Sequence, residues 1–472
     1  MRLLILFFLL PISLIAQSLK KENLGPNVNT KLNDLAPVLS LDGKSLYFII
    51  EGHPKNTRSY NSKSQDIWYS EKDSNGLWSV AKHASKPFNQ RLYNSIECIS
   101  KDGSIIYIRG AYKDGEYIGS GFSYLIKTKN GWSNPIQINI QDLDKLNKGL
   151  VDAMHICSDN KTMILAFSEK KGSKINDLYV SFKTGPNTWS KPKYISSLNT
   201  KHFIESTPFV AADNKTLYFS SDRPGGIGGR DIYMTQRLDD TWMKWSAPKN
   251  LGDSINTEGW DAYFMTDASA QYGYIVSTKD SYGESDIFKF RLPQALQPNP
   301  VTMVTGVIKD SDNKIISTIV VAIDVKTNKV IQESACHPTT GNFTLFLNYG
   351  FDYIIALKNN YQYTQPIEIT LSKDTVRYQE INLKLNYVEV RDNSILPVQL
   401  QNESISLASL NQIIQTLKNN PYTQIEILTT SNNLSSVTAL KNRLQESLPS
   451  SSIKISEGNE MPSDIIGIKI IH

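Results

Sequence analysis

Three cysteines in 472 residues are too few and too scattered to staple an exported fold. Cys98, Cys157 and Cys336 read as buried thiols, with a Cys98–Cys157 bridge left open. Histidine is also scarce. The six stand at 53, 83, 155, 202, 337 and 472, and none falls at ligand spacing with another. No HExxH occurs, so no metal and no cofactor are expected. No GxSxG occurs either, which argues against a fused serine peptidase. The chain lacks a basic excess: 50 Lys and Arg against 46 Asp and Glu leave a net charge of +4. A nucleic-acid partner needs a stronger basic face than that. Beyond the first residues no apolar run reaches the ~18 residues that a membrane helix requires.

What is present starts with "MRLLILFFLLPISLIAQS". One early cation, a short apolar run and a small residue before Gln17 read as a secretory signal peptide over residues 1–16. The chain is therefore expected to be exported.

A repeat then dominates the chain. "PVLSLDGKSLYFI", "CISKDGSIIYIR", "ICSDNKTMILAF", "FVAADNKTLYFS" and "FMTDASAQYGYIV" each join two apolar strands. In the first four an Asp-Gly or Asp-Asn turn makes the join. The anchoring acids are Asp42, Asp102, Asp159, Asp213 and Asp267, at intervals of 60, 57, 54 and 54 residues. A third strand follows in each copy, marked by Asp66, Ser123, Asp177, Asp231 and Asp286. Four copies add a fourth, marked by Trp78, Trp132, Trp189 and Trp245. Four strands in about 55 residues is the unit of a propeller blade. The fifth copy lacks its Trp strand. "LGPNVNT" near the N-terminus matches "LGDSINT" after the fourth Trp, so the first residues are expected to supply the missing strand. The expectation is a mostly β, multidomain chain. It comprises a five-bladed β-propeller over residues 18–292, a linker at 293–300, a small β-sandwich over 301–385 and an α/β domain over 386–472.

The stretch "SSDRPGGIGGRDIYM" has the glycines of a phosphate cradle. A strand, not a helix, follows them, so they read as a tight hairpin between two strands. With the W-S-x-P outer strand, this pattern resembles the TolB-type, WD-repeat-like propellers of exported bacterial proteins. That resemblance implies protein or ligand binding without catalysis. The next module resembles the carboxypeptidase regulatory-like sandwich at Gly306, Asp324, Gly341, Phe343, Gly350, Tyr353 and Tyr361. The last is similar to an OmpA-like domain, whose family grips peptidoglycan through an Asp and an Arg. Asn432 and Thr438 stand where those charges belong. A neutral pair does not replace two charge-assisted contacts, so peptidoglycan binding by the family mode is not expected.

Five acids each read as lying a few residues before the innermost strand of a blade, near one mouth of the channel: Asp34, Glu97, Asp152, Glu205 and Asp261. Three roles remain open for them: strand caps facing solvent, contact with a cation or ligand, or paired acid/base work on a glycan. Arg223 and Arg230 flank the glycine stretch as further candidates for partner contact. The resemblances together imply a non-enzymatic scaffold of the cell envelope, of the Bacteroidetes type, periplasmic and associated with the outer membrane. Its partners would be outer-membrane or secretion-machinery proteins, in a secretion or gliding assembly. Two alternatives stand beside it: a carbohydrate-binding or glycan-cleaving propeller, and a peptidoglycan anchor.

Overall fold

A computed structural model describes residues 19–471 apart from 311, 338–339, 359–361, 365, 373–377, 390–393, 401–404, 419–423, 431–433, 450 and 458–464. The expected signal peptide, Tyr361 and Asn432 lie outside the described residues.

Five antiparallel sheets account for most of the chain. The first contains Asn33–Leu39, Ser45–Glu51, Gln65–Glu71 and Lys82–His83, in that order. The second contains Ile96–Ile99, Ile105–Lys113, Glu116–Thr128 and Ile136–Gln137. Ala153–Ile156, Thr162–Phe167, Asp177–Gly185 and Lys193–Tyr194 make the third. Glu205–Val210, Thr216–Ser221, Asp231–Gln236 and Lys249–Asn250 make the fourth. The fifth joins Ala262–Thr266, Tyr272–Ser277 and Asp286–Arg291 to Glu22–Asn23, with Glu22 opposite Lys289. Each sheet's first strand touches the first strand of the next, and Ala262–Thr266 returns to Asn33–Leu39. The sheets thus ring a central channel, the arrangement of a β-propeller.

The repeated Asp explains the inner hairpins. Asp159 Oδ1 accepts the N–H groups of Lys161 and Thr162 at 2.8 and 2.9 Å. Asp213 does the same for Lys215 and Thr216 at 3.0 and 2.9 Å. The residue that follows must turn left-handed, which Gly and Asn tolerate. Gly43, Gly103, Asn160 and Asn214 have φ of 71°, 70°, 54° and 53°.

The Trp-marked strands differ from expectation. Trp78 and Trp245 form single antiparallel bridges to Lys72 and Arg237. The outer strands proper come later, at Lys82–His83 and Lys249–Asn250. In the later copies a proline, such as Pro248, stands between and has no N–H to donate.

The innermost strands have one edge without a backbone partner, so neighbouring side chains satisfy their N–H groups. Leu39 N donates to Met265 Sδ at 3.0 Å, Ile156 N to Cys98 Sγ at 3.4 Å, and Met154 N to Glu97 Oε2 at 3.0 Å. All three cysteines are buried and free, so no Cys98–Cys157 bridge forms.

Seven further strands form two facing sheets. One runs Asn342–Asn348, Val301–Lys309, Tyr378–Asn386; the other runs Lys329–Ala335, Ile319–Asp324, Phe351–Leu357, Ile367–Leu371. Val304, Leu345 and Leu347 of one pack on Val320, Ile355 and Leu357 of the other. This sandwich docks at the end of the channel where the Asp turns lie. There Lys101 Nζ donates to Glu333 O at 2.7 Å, and Lys161 pairs with Glu333 at 3.0 Å. Leu41, Ala212 and Ala268 pack on Val301, Met303 and Phe346.

The remaining residues form a sheet in the order Ile395–Gln399, Ile465–Ile471, Gln424–Thr429, Ser452–Glu457. Helices Leu407–Lys418 and Leu434–Ser447 pack on it through Ile413, Leu417, Val437 and Leu444. Ser406 caps the first helix, accepting Ser409 N at 3.0 Å.

Candidate functional site in the propeller channel

The end of the channel opposite the sandwich gathers the starts of the innermost strands and the loops between second and third strands. A cavity of about 460 Å³ runs inward from it, in the range of small-ligand sites. Its wall includes Glu97, Arg109, Asp152, Lys174, Asn176 and Tyr263. At the far end it reaches Ala335 and Cys336 of the sandwich.

The five acids do not form a ring. Asp34 accepts from Thr30 N at 2.5 Å, and Asp261 from Thr257 N at 2.6 Å. Both therefore tie down the segment leading into the strand. Glu205 accepts from Thr200 N at 3.3 Å and pairs with Arg223 at 3.0 Å. Burial pushes Asp34 and Glu205 up to about 7. In the second sheet this tying position is held by Asn94, whose Oδ1 accepts from Gln90 N at 3.2 Å.

Glu97 therefore lies deeper than the others. It is the extra residue of a bulge, between the pairs Ile96–Ile108 and Cys98–Tyr107. A bulge re-aims a side chain, and here it places the carboxyl in the cavity wall. The first, fourth and fifth sheets carry bulges at the same level, where Ala36, Thr207 and Tyr263 have φ of 46°, 47° and 57°. These three also line the cavity. Left-handed backbone at non-glycine residues is a strained state that clusters at functional sites.

Arg109 joins two of the acids. Its Nη2 lies 3.2 Å from Glu97 Oε1, and its Nε lies 3.2 Å from Asp152 Oδ1 of the next sheet. Asp152 also accepts from Asn147 Nδ2 at 2.8 Å. The two carboxyls thus flank one guanidinium from adjacent sheets, rather than facing each other across the channel. Glu97 Oε1 and Arg109 Nε make charge contact without an aligned hydrogen bond, and Asn176 Oδ1 has no hydrogen-bond partner among the described residues. Burial raises Glu97 above the usual carboxyl range; Arg109 opposes that shift and Asp152 adds to it. Three polar atoms without an aligned hydrogen bond among the described residues thus belong to residues that line one cavity.

Arg230 enters the same wall, stacked on Trp260 at 5.7 Å. Arg223 instead turns inward, to Glu205 and to Leu198 O at 2.7 Å. Thr438 is exposed on its helix. The glycine stretch is no phosphate cradle: Ile227 N and Gly228 N donate to Asp231 at 2.5 and 3.2 Å, and Gly229 N reaches Gly259 O of the next sheet at 2.8 Å.

Sequence reasoning missed Arg109, Asn176, Lys174 and Tyr263. Arg109 had a visible signal. It is a charge in a second strand where the other copies have Ile49, Ala166, Ser220 and Val276.

No family model matches this chain, and no curated relative does. Solved structures similar to it include a TolB of Agrobacterium tumefaciens, at 15% identity and TM-score 0.32, covering 68% of this chain and 91% of that one. An α-L-arabinofuranosidase of Lactobacillus brevis is similar at 15% identity and TM-score 0.36, covering 58% and 94%. A thermostable family-43 glycoside hydrolase is similar at 11% identity and TM-score 0.32, covering 56% and 90%. The expectation of a non-enzymatic scaffold is corrected here. In this chain two carboxyls and the arginine between them line a cavity in the channel, instead of filling a closed structural core. Those names belong to those proteins, and the case for this chain rests on its own channel.

Proposed function

We propose that this chain is a five-bladed, carbohydrate-active propeller that binds a saccharide at the channel mouth and hydrolyses it there. The observation that carries the reading is the Glu97–Arg109–Asp152 cluster in the cavity wall. Cleaving a glycosidic bond needs one carboxyl that can hold a proton and a second that stays charged. Burial suits Glu97 to the first role. It would give its proton to the leaving oxygen as the C1–O bond breaks. Asp152 would direct a water, or its own oxygen, at C1. Arg109 positions both carboxyls, and Asn176 Oδ1 would accept a sugar hydroxyl.

The rim suits a sugar. Tyr60, Tyr93 and Tyr282 are exposed in the loops around this mouth. An aromatic face covers the C–H face of a pyranose while its hydroxyl stays in water. The sandwich at the opposite end would make the channel a blind pocket, entered from the acid side. We propose the module boundaries given from the sequence, at 292, 300 and 385, as those of this assembly.

The test is to incubate the full chain with a panel of oligosaccharides and look for new reducing ends. Turnover that disappears in Glu97→Gln, with folding intact, supports the reading. No binding and no turnover on any saccharide defeats it.

A further inference from the structure

We propose that the sugar taken by this channel is anionic, with Arg230 the residue that recognises its charge; this rests on the saccharide reading above. The cations around the mouth differ in what they already hold. Arg109 is paired with Glu97 and Asp152, both at 3.2 Å. Arg223 is paired with Glu205 at 3.0 Å. Arg230 makes no ion pair among the described residues. Its contacts are Ser206 Oγ at 3.5 Å from Nη1 and the Trp260 ring.

This guanidinium is half-buried, and burial lowers its pKa, with Tyr263 and Asp222 opposing the shift. Asp222 lies near enough to act on this charge but forms no ion pair with it, and its Oδ1 accepts from Ile204 N at 2.6 Å. Removing a cation from water without a counter-charge is costly, and a carboxylate arriving with the ligand would offset that cost. Lys174 lines the same cavity and likewise forms no ion pair among the described residues. Asn176, 2% exposed with Oδ1 unpartnered, lines it as well. The wall thus offers a charge clamp and a hydroxyl acceptor together. A neutral sugar uses only the second.

The fork of Arg230 matches a planar carboxylate in two parallel bonds, whereas a sulfate ester offers tetrahedral oxygens. Both are anionic sugar substituents, and the experiment separates them. Calorimetric titration of the full chain would compare neutral xylo-oligosaccharides, oligogalacturonates and sulfated galacto-oligosaccharides. An anionic series should bind at least about tenfold tighter than the neutral one, with the advantage shrinking as salt rises. Arg230→Gln should bring the two within about twofold, and Arg230→Lys should recover part of the difference. A thermal melt of each variant checks folding.

Preference for the uronate series assigns a carboxylate, and preference for the sulfated series assigns a sulfate ester. Equal binding of neutral and anionic sugars by the unaltered protein overturns the inference and leaves the saccharide reading standing. Binding of none overturns both. An anionic preference that survives Arg230→Gln assigns the recognition elsewhere and overturns the role given to Arg230.

Discussion

The backbone N–H of Met154 donates to Glu97 Oε2 at 3.0 Å, across the seam between two sheets of the propeller. One oxygen of this carboxyl is thereby fixed to the scaffold, while Oε1 remains beside Arg109 without an aligned hydrogen bond. A carboxyl held at one oxygen by the backbone and at the other by a guanidinium is positioned before any ligand arrives.

Replacing that carboxyl tests its role without emptying the site. Glu97→Gln keeps an acceptor for Met154 N but cannot donate an acid proton. Saccharide turnover is expected to fall by about 10²–10⁴, with binding retained within a few-fold. Asp152→Asn is expected to fall by a similar factor. Steady-state rates beside titrated affinities separate these effects.

Arg109 holds two acids in a half-buried setting. Its side chain is 28% exposed, against 4% for Glu97 and 11% for Asp152. Arg109→Met leaves both carboxyls without their counter-charge. A loss of roughly 3–5 kcal/mol is expected, measured by urea denaturation. Adding Glu97→Gln to that variant should restore part of the loss, because one stranded charge is then gone.

His155 predicts an acid sensitivity of known sign. Its half-buried ring packs edge-on against Phe209 at 5.1 Å, with Nε2 3.1 Å from Val210 O. Burial lowers its pKa from 6.5 to about 4. The unfolded chain therefore binds this proton more readily, and stability is lost as pH falls from 6.5 toward 4. Between pH 7 and pH 4.5 the unaltered protein should lose roughly 2–3 kcal/mol more than His155→Gln. Asp34 and Glu205, raised to about 7, act in the opposite direction and are common to both proteins.

The glycine stretch makes a positional prediction. A Cβ on Gly228 would lie 2.1 Å from Thr257 O, whereas one on Gly225 would meet nothing within 4 Å. Gly225 has φ of 84°, so Gly225→Ala should cost about 1–2 kcal/mol of backbone strain. Gly228→Ala should cost more, because backbone of the next sheet must move. Thermal melts of the two variants rank them.

These residues also show how far the sequence carried. The Asp-Gly and Asp-Asn turns announced the repeat, because left-handed turns demand those residue types at a fixed place. The glycine stretch was legible as a hairpin, since a strand follows it directly. The position of Glu97 was not legible. A bulge shifts one residue relative to its neighbours, and that shift leaves no mark in alternation alone. The five acids therefore looked alike, although Asp34 and Asp261 close loops and Glu97 faces the channel. Arg109 left a mark, a charge in an otherwise apolar or small strand position, but its two partners come together only through the ring of sheets.

One measurement tests saccharide hydrolysis at Glu97 most directly: mass spectrometry of an oligosaccharide panel, neutral and acidic, incubated with the folded chain and with Glu97→Gln. The predicted result is shorter products with new reducing ends from the unaltered protein, reduced by at least about 10² in the variant at an unchanged melting temperature. Products that form equally in both, or no products from the folded unaltered chain, would contradict it.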